Sequence, residues 1–315
     1  MAIADALGRV LPILLLFALG AVLRRRAFLS ESTIVDLRRL VLAVTLPAAL
    51  FLTFLNVSLE LRYLPVVLLV FAACVGMLVA GPHLCRLAGV RSPYAGPLVT
   101  GFEAGMLGYA IYGGVFGQEA LYRFGIIDLG QVLFVFFVLA TVLVRRATGV
   151  APGVRATVVA FLRTPVILAI LAGVAGSAVG LGPALESSPI TASLLRTLGL
   201  LAACTTPLIA IVIGYSTSLR RGALSRPART VAVRLTAWVL IALVFVKVVV
   251  EGALGLDPLF GAAVMTMAIL PPPFVIPLYM GSRPEDEGDY VADTLSLATV
   301  VTLVAFPLVA AAYAG

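Results

Sequence analysis

Ala43-Val44-Thr45-Leu46-Pro47 recurs later in the chain as Ala203-Cys204-Thr205-Thr206-Pro207, and Ser58-Leu59 and Ser218-Leu219 follow the two prolines at the same distance. Each copy is followed by an apolar segment interrupted by helix-breaking residues. In the first half the interruption is Gly101, Gly105, Gly108, Gly113, Gly114 and Gly117; in the second it is Pro271-Pro272-Pro273, with Pro277 beyond. Interrupted apolar segments at corresponding places in two halves are the sequence signature of a transporter binding site.

The composition fixes the solvent. The 315-residue chain is 62% hydrophobic and only 12% charged, and its mean hydropathy is +1.14. A soluble chain carries about a quarter charged residues. The net charge of +7 does not point to nucleic acid, because the arginines are spread between apolar runs and gather in no single patch. Cys74, Cys85 and Cys204 are scattered, and His83 is the one histidine, so no zinc-type cluster is available. The first apolar run is followed by Arg24-Arg25-Arg26 and is not preceded by positive charge, the reverse of a signal peptide. It reads as a retained spanning helix.

A membrane-spanning helix needs about 20 mostly apolar residues. Ten segments qualify approximately: 2–23, 36–55, 63–83, 95–116, 121–144, 157–180, 194–218, 230–252, 257–280 and 289–313. Basic residues divide unevenly between the alternating loops and their flanks. One face takes Arg24 to Arg26 with Arg38 and Arg39, then Arg86 and Arg91. It also takes the arginines near 145–163, Arg220 to Arg234, and Arg283. The other face has only Arg9, Arg62, Arg123, Arg196 and Lys247. The positive-inside rule makes the first face cytoplasmic and puts both termini on the extracytoplasmic side of a plasma (inner) membrane. The duplicated Thr-x-Pro stretches then fall on the second and seventh helices. The repeat unit is five helices, residues 1–150 and 151–315, and an odd unit enters the membrane inverted. The expected fold is an all-α polytopic membrane protein with ten helices in two inverted repeats and broken, crossing fourth and ninth helices.

Three consecutive prolines cannot continue a regular helix, and unwound backbone at membrane depth must be satisfied by protein or by a water-filled cavity. Six glycines in the fourth segment make unwinding cheap there, although Gly101 and Gly105 also have the spacing of a close helix-packing face. Two crossing broken helices aim half-helix N-termini at a common point, which suits an anionic group. Gly105, Gly108, Thr45, Thr205, Thr206, Pro271, Pro272 and Pro273 are therefore the candidate substrate-binding residues. The three threonines precede helix-bending prolines, so their hydroxyls have the competing task of satisfying backbone freed by the proline.

Glu103 lies mid-way along the fourth segment, where a carboxylate is expensive and reads as functional. It suits a proton carrier or, ionised, a sodium ligand with Gln131. Asp128 and Asp293 are related by nearly the same offset as the breaks, with Gln131 and Ser296 one turn on. All five are candidate coupling-ion residues, and the two aspartates read equally well as helix-end carboxylates. No other cofactor is expected. Asp128 could serve an intramembrane hydrolase, but no second motif accompanies it, so the chain reads as a transporter and not an enzyme. Lys247 and Glu251, four apart, read as an interfacial pair.

Leu11-Pro12-Ile13 with Leu19-Gly20 and Arg24-Arg25-Arg26, Val44-Thr45-Leu46-Pro47-Ala48, Gly105-Met106-Leu107-Gly108-Tyr109, Thr164-Pro165, Thr206-Pro207-Leu208 and Pro272 occur in an order and spacing that resembles the auxin efflux carrier family. The resemblance covers essentially the whole chain. It implies scaffold and transport domains, elevator-type alternating access, a small organic anion as substrate, and a homodimer in the bilayer. Where Glu103 and Ala110 stand, the family often has asparagine and proline. That departure favours cation-coupled transport, and the fold is also similar to that of the bile-acid/sodium symporters.

Overall fold

The computed structural model describes residues 2–57, 60–217, 224–280 and 285–313, with no side-chain detail for 2–7 and 285. The repeat matches at Ser58-Leu59 and Ser218-Leu219, and Arg220, Arg221 and Arg283, lie outside the described residues. Every regular element among the described residues is helical. Among the described residues six helices are long and apolar enough to cross a membrane, seven if one bent pair is a single span. The chain is a helical polytopic membrane protein.

Helix α1 is Ala2–Arg25. α2 runs over Glu31–Leu55 and widens into a π turn at Val41–Thr45, just before Pro47, which has no N–H to give the preceding turn. Ser30 caps its start by accepting from the Thr33 amide at 3.1 Å. α3 is Leu64–Leu87. The fourth predicted segment is two pieces: α4 (Ala95–Val99), and α5 (Tyr109–Phe116) entered through a π turn at Ala104–Gly108. α6 covers Gln118–Thr148.

The predicted single helix over 157–180 is a correction: it is α7 (Val154–Leu162) and α8 (Pro165–Ala178), bent by 67°. Thr164 takes extended backbone (φ −68°, ψ 123°) before Pro165, because the proline ring disfavours the α conformation in the residue that precedes it. α9 is Leu181–Glu186, α10 is Pro189–Ser216 and α11 is Ser225–Ala253, its last turns π. α12 (Pro258–Ile269) stops short of the three prolines, and α13 is Glu285–Tyr313.

Within lipid there is little hydrophobic drive between helices, so close backbone approach through small residues takes its place. Gly20 of α1 and Gly214 of α10 interlock: a Cβ on Gly20 would stand 2.2 Å from the Ile211 carbonyl oxygen, and one on Gly214 would stand 2.1 Å from that of Phe17. Gly173 brings α8 against α2 at Phe51, where a Cβ would stand 2.8 Å from the carbonyl oxygen, and Gly130 brings α6 against Val67 of α3. The side chains that face outward on these helices are apolar, among them Leu11, Leu15, Leu168 and Leu200. At one end of the bundle Arg123 Nε donates to both carboxylate oxygens of Asp257, at 2.8 and 2.9 Å. Asp257 also caps α12 through the Leu259 amide at 3.1 Å. Arg123→Ala is expected to lower the thermal midpoint by a few degrees, the size of about 1 kcal/mol for a partly exposed pair. A thermal melt of purified protein checks it; an unchanged midpoint would show the clasp to be inert.

Candidate functional site

Both predicted breaks exist, and they meet. After α4 the chain turns out of helix at Gly101, whose φ of +62° is open to glycine and strained for other residues. After α12 Leu270 takes extended backbone (φ −63°, ψ 152°), and Pro271 to Pro273 have no regular structure. The two unwound segments cross in contact: the Glu103 amide donates to the Pro271 carbonyl at 2.9 Å, and Pro273 packs on Gly101. The prolines can accept but not donate, so this pairing runs one way only.

Backbone unwound inside protein must have every polar group satisfied. Here the carbonyls left over by α4 and α12 are taken by side chains from the surrounding helices. The Trp238 indole N–H donates to Val99 O at 2.8 Å. The Gln131 amide donates to Phe102 O at 3.1 Å, and Thr302 donates to Ile269 O. Thr100 in turn donates to Cys74 O on α3 at 2.7 Å. Arg234 serves Leu98, Gly101, Leu270 and Pro271.

Arg234 corrects the sequence reading, which counts it with the loop charge. It lies in the third turn of α11 and is 2% exposed. Its signal was its position four residues inside an expected span. Trp238 and Tyr109 were missed as well, each an aromatic with a polar tip in an apolar run.

Glu103 is the N-cap of the π turn that leads into α5. One carboxylate oxygen accepts from the Met106 amide at 3.3 Å; the other accepts from the Phe274 amide, across the crossing, at 2.7 Å. The backbone donors that the sequence reading offers to an anionic ligand are thus held by the protein's own carboxylate. Arg38 and Asp128 both lie within electrostatic range of Glu103.

The two expected carboxylate pairs separate in role. Asp128 lies in the third turn of α6 and is 2% exposed, buried inside the protein and not at a helix end as one of its two readings had it. It accepts from the Tyr109 hydroxyl at 3.0 Å and from the Gln131 amide at 3.1 Å. Gln131 Oε1 is buried with no partner among the described residues. Asp293 is buried on α13 and Ser296 partly so, and each has a polar partner. Glu103 and Gln131, expected together on a sodium ion, share no hydrogen-bond partner: Glu103 faces backbone amides and Gln131 faces Asp128.

Among the expected substrate-binding residues, Gly105 borders open space, whereas Gly108 is packed against Phe124 and Leu270. Pro271, Pro272 and Pro273 are buried. The hydroxyls of Thr45 and Thr205 are both buried and without a partner among the described residues, so neither satisfies proline-freed backbone; Thr206 donates to Ala110 O at 3.4 Å. Two large cavities lie away from the crossing. One, of about 590 Å³, is lined by Thr53, Asn56, Gln118, Glu119 and Tyr122. The other, of about 660 Å³, is lined by Arg86, Arg91 and Ser92. The Lys247–Glu251 pair is present on the surface at 2.7 Å.

No protein-family model matches the chain. It is similar to an uncharacterized transporter of Methanocaldococcus jannaschii, 27% identical over 276 residues, covering 82% of this chain and 87% of that protein. Together with an all-helical fold whose longest helices are apolar enough to span a bilayer, this relative supports a membrane transporter.

Proposed function

We propose that this chain is a secondary transporter of a small organic anion, related to the auxin efflux carriers. Ten spans in two inverted repeats, 1–150 and 151–315, form a scaffold and a moving transport domain, as a homodimer with both termini extracytoplasmic. The substrate binds at the crossing of the two broken segments. The observation that carries this reading is Glu103, a carboxylate seated on backbone amides from both segments. A site that holds one carboxylate through preorganised amides has the donors to hold another. The pairing of α1 with α10 through Gly20 and Gly214, and of α8 with α2 through Gly173, supports the inverted repeat.

The geometry supports a coupling scheme. Ionised Glu103 and an anionic substrate compete for the same donors, so a proton on Glu103 frees them. Uptake of substrate is then tied to uptake of a proton. Flux of a panel of mono- and dicarboxylic acids into proteoliposomes, with and without a pH gradient, tests it. Glu103→Gln is expected to lose the pH stimulation, a drop of about tenfold or more for one charge-assisted interaction. PH-driven flux left intact in that variant would sink the coupling role. The unpartnered Gln131 Oε1 beside Asp128 favours a second reading, a sodium-coupled symporter of the bile-acid type. Flux that follows a sodium gradient at constant pH would select it.

A further inference from the structure

The crossing has a positive as well as a negative occupant. α4 and α12 both end there, and helix C-termini carry partial negative charge and unsatisfied carbonyls. Discontinuous membrane helices use such ends, with unwound carbonyls, to hold a coupling cation. In this chain the same oxygens surround the Arg234 guanidinium. Its Nε and Nη2 donate to Leu270 O at 3.1 and 3.0 Å, and Nη2 also donates to Gly101 O at 2.5 Å. Leu98 O and Pro271 O lie at 3.4 Å, and the Phe102 ring covers one face at 5.1 Å. No carboxylate pairs with Arg234 among the described residues. The cavity beside it is about 10 Å³, room for a water at most, so the substrate does not reach the guanidinium.

We propose that Arg234 is a tethered cation filling a backbone-carbonyl cage that would otherwise take a small dissolved cation. The crossing therefore carries its positive charge permanently and needs no sodium ion at that point. This deepens the reading of the crossing as the transport site and rests on it; Arg234 is a positioning residue that holds the half-helix ends together.

The test uses full-length protein in detergent or nanodiscs, with thermal midpoints compared in choline, sodium and guanidinium chlorides at equal ionic strength. Wild type is expected to be indifferent to the exchange. Arg234→Ala is expected to melt lower and to regain several degrees, saturably, with millimolar guanidinium or sodium but not choline. Arg234→Gln keeps donors without charge and guards against failure to fold; it is expected to acquire the same cation dependence. Arg234→Lys restores charge and is expected to return to indifference. Variants that gain nothing from either cation, or a glutamine variant equal to wild type in choline, would overturn the proposal. Absence of organic-anion flux in wild type would instead strike at the transport reading and leave these melts unchanged.

Discussion

Gly214→Val is expected to leave little or no monodisperse protein. The clash is between backbones: a Cβ at 214 would lie 2.1 Å from Phe17 O, 2.8 Å from its carbonyl carbon and 2.9 Å from its Cα. A side chain can rotate away from an intruding methyl group, but a helix backbone can only translate. Gly20 meets Ile211 and Tyr215 in the same contact, so α1 and α10 would have to part along the whole seam. Overpacking costs about 1–3 kcal/mol where side chains can repack, and more is expected where they cannot. Gly199→Val, on the same helix with nothing within 4 Å, is the control and is expected to behave as wild type. Size-exclusion profiles of the two variants decide it; a normal profile for Gly214→Val would mean the helices do not meet as described.

Trp238→Ala is expected to cost about 3–5 kcal/mol from the lost aromatic bulk. A further 1–3 kcal/mol is expected for leaving the Val99 carbonyl buried and unpaired. The ring is 4% exposed and stands edge-on to Phe102 at 4.5 Å. It therefore supports the residue that precedes Glu103 as well as the end of α4. Trp238→Phe separates the two contributions, because it restores most of the packing and none of the hydrogen bond. Denaturation midpoints should rank wild type above phenylalanine above alanine. Equal midpoints for the two variants would assign the whole effect to the lost N–H.

The breaks were legible because their cause is local. Three prolines exclude helix whatever surrounds them, and Gly101 supplies a positive φ that its neighbours cannot. Glu103 was legible because a carboxylate in an apolar run is costly enough to require a purpose. Arg234 was misread for the opposite reason. Its partners are backbone carbonyls, which every residue has, so nothing in the side chains around it announces them. Counting it as loop charge followed from its place near the start of a span. The bend at Thr164 was also local, written in Arg163-Thr164-Pro165, but it was passed over because apolar residues lie on both sides of it. The threonine hydroxyls were open to two readings, and the proline-satisfying one fails at Thr45 and Thr205. Their orphaned oxygens depend on how α2 and α10 pack, which no pattern within either helix contains.

The buried Arg234 is also expected to set an order of assembly during synthesis. α11 is made before α12, so its guanidinium enters the membrane before Leu270 and Pro271 exist. An arginine inside an isolated membrane helix is costly to insert, up to about 2.5–3.5 kcal/mol at its centre and less toward its end. The carbonyls of Leu98 and Gly101 are by then already in place and can receive it. The first half of the protein is thus a receptor for the second. Residues 151–315 made alone should integrate into membranes poorly, and better when residues 1–150 are made alongside, which a co-expression and membrane-extraction assay would read out.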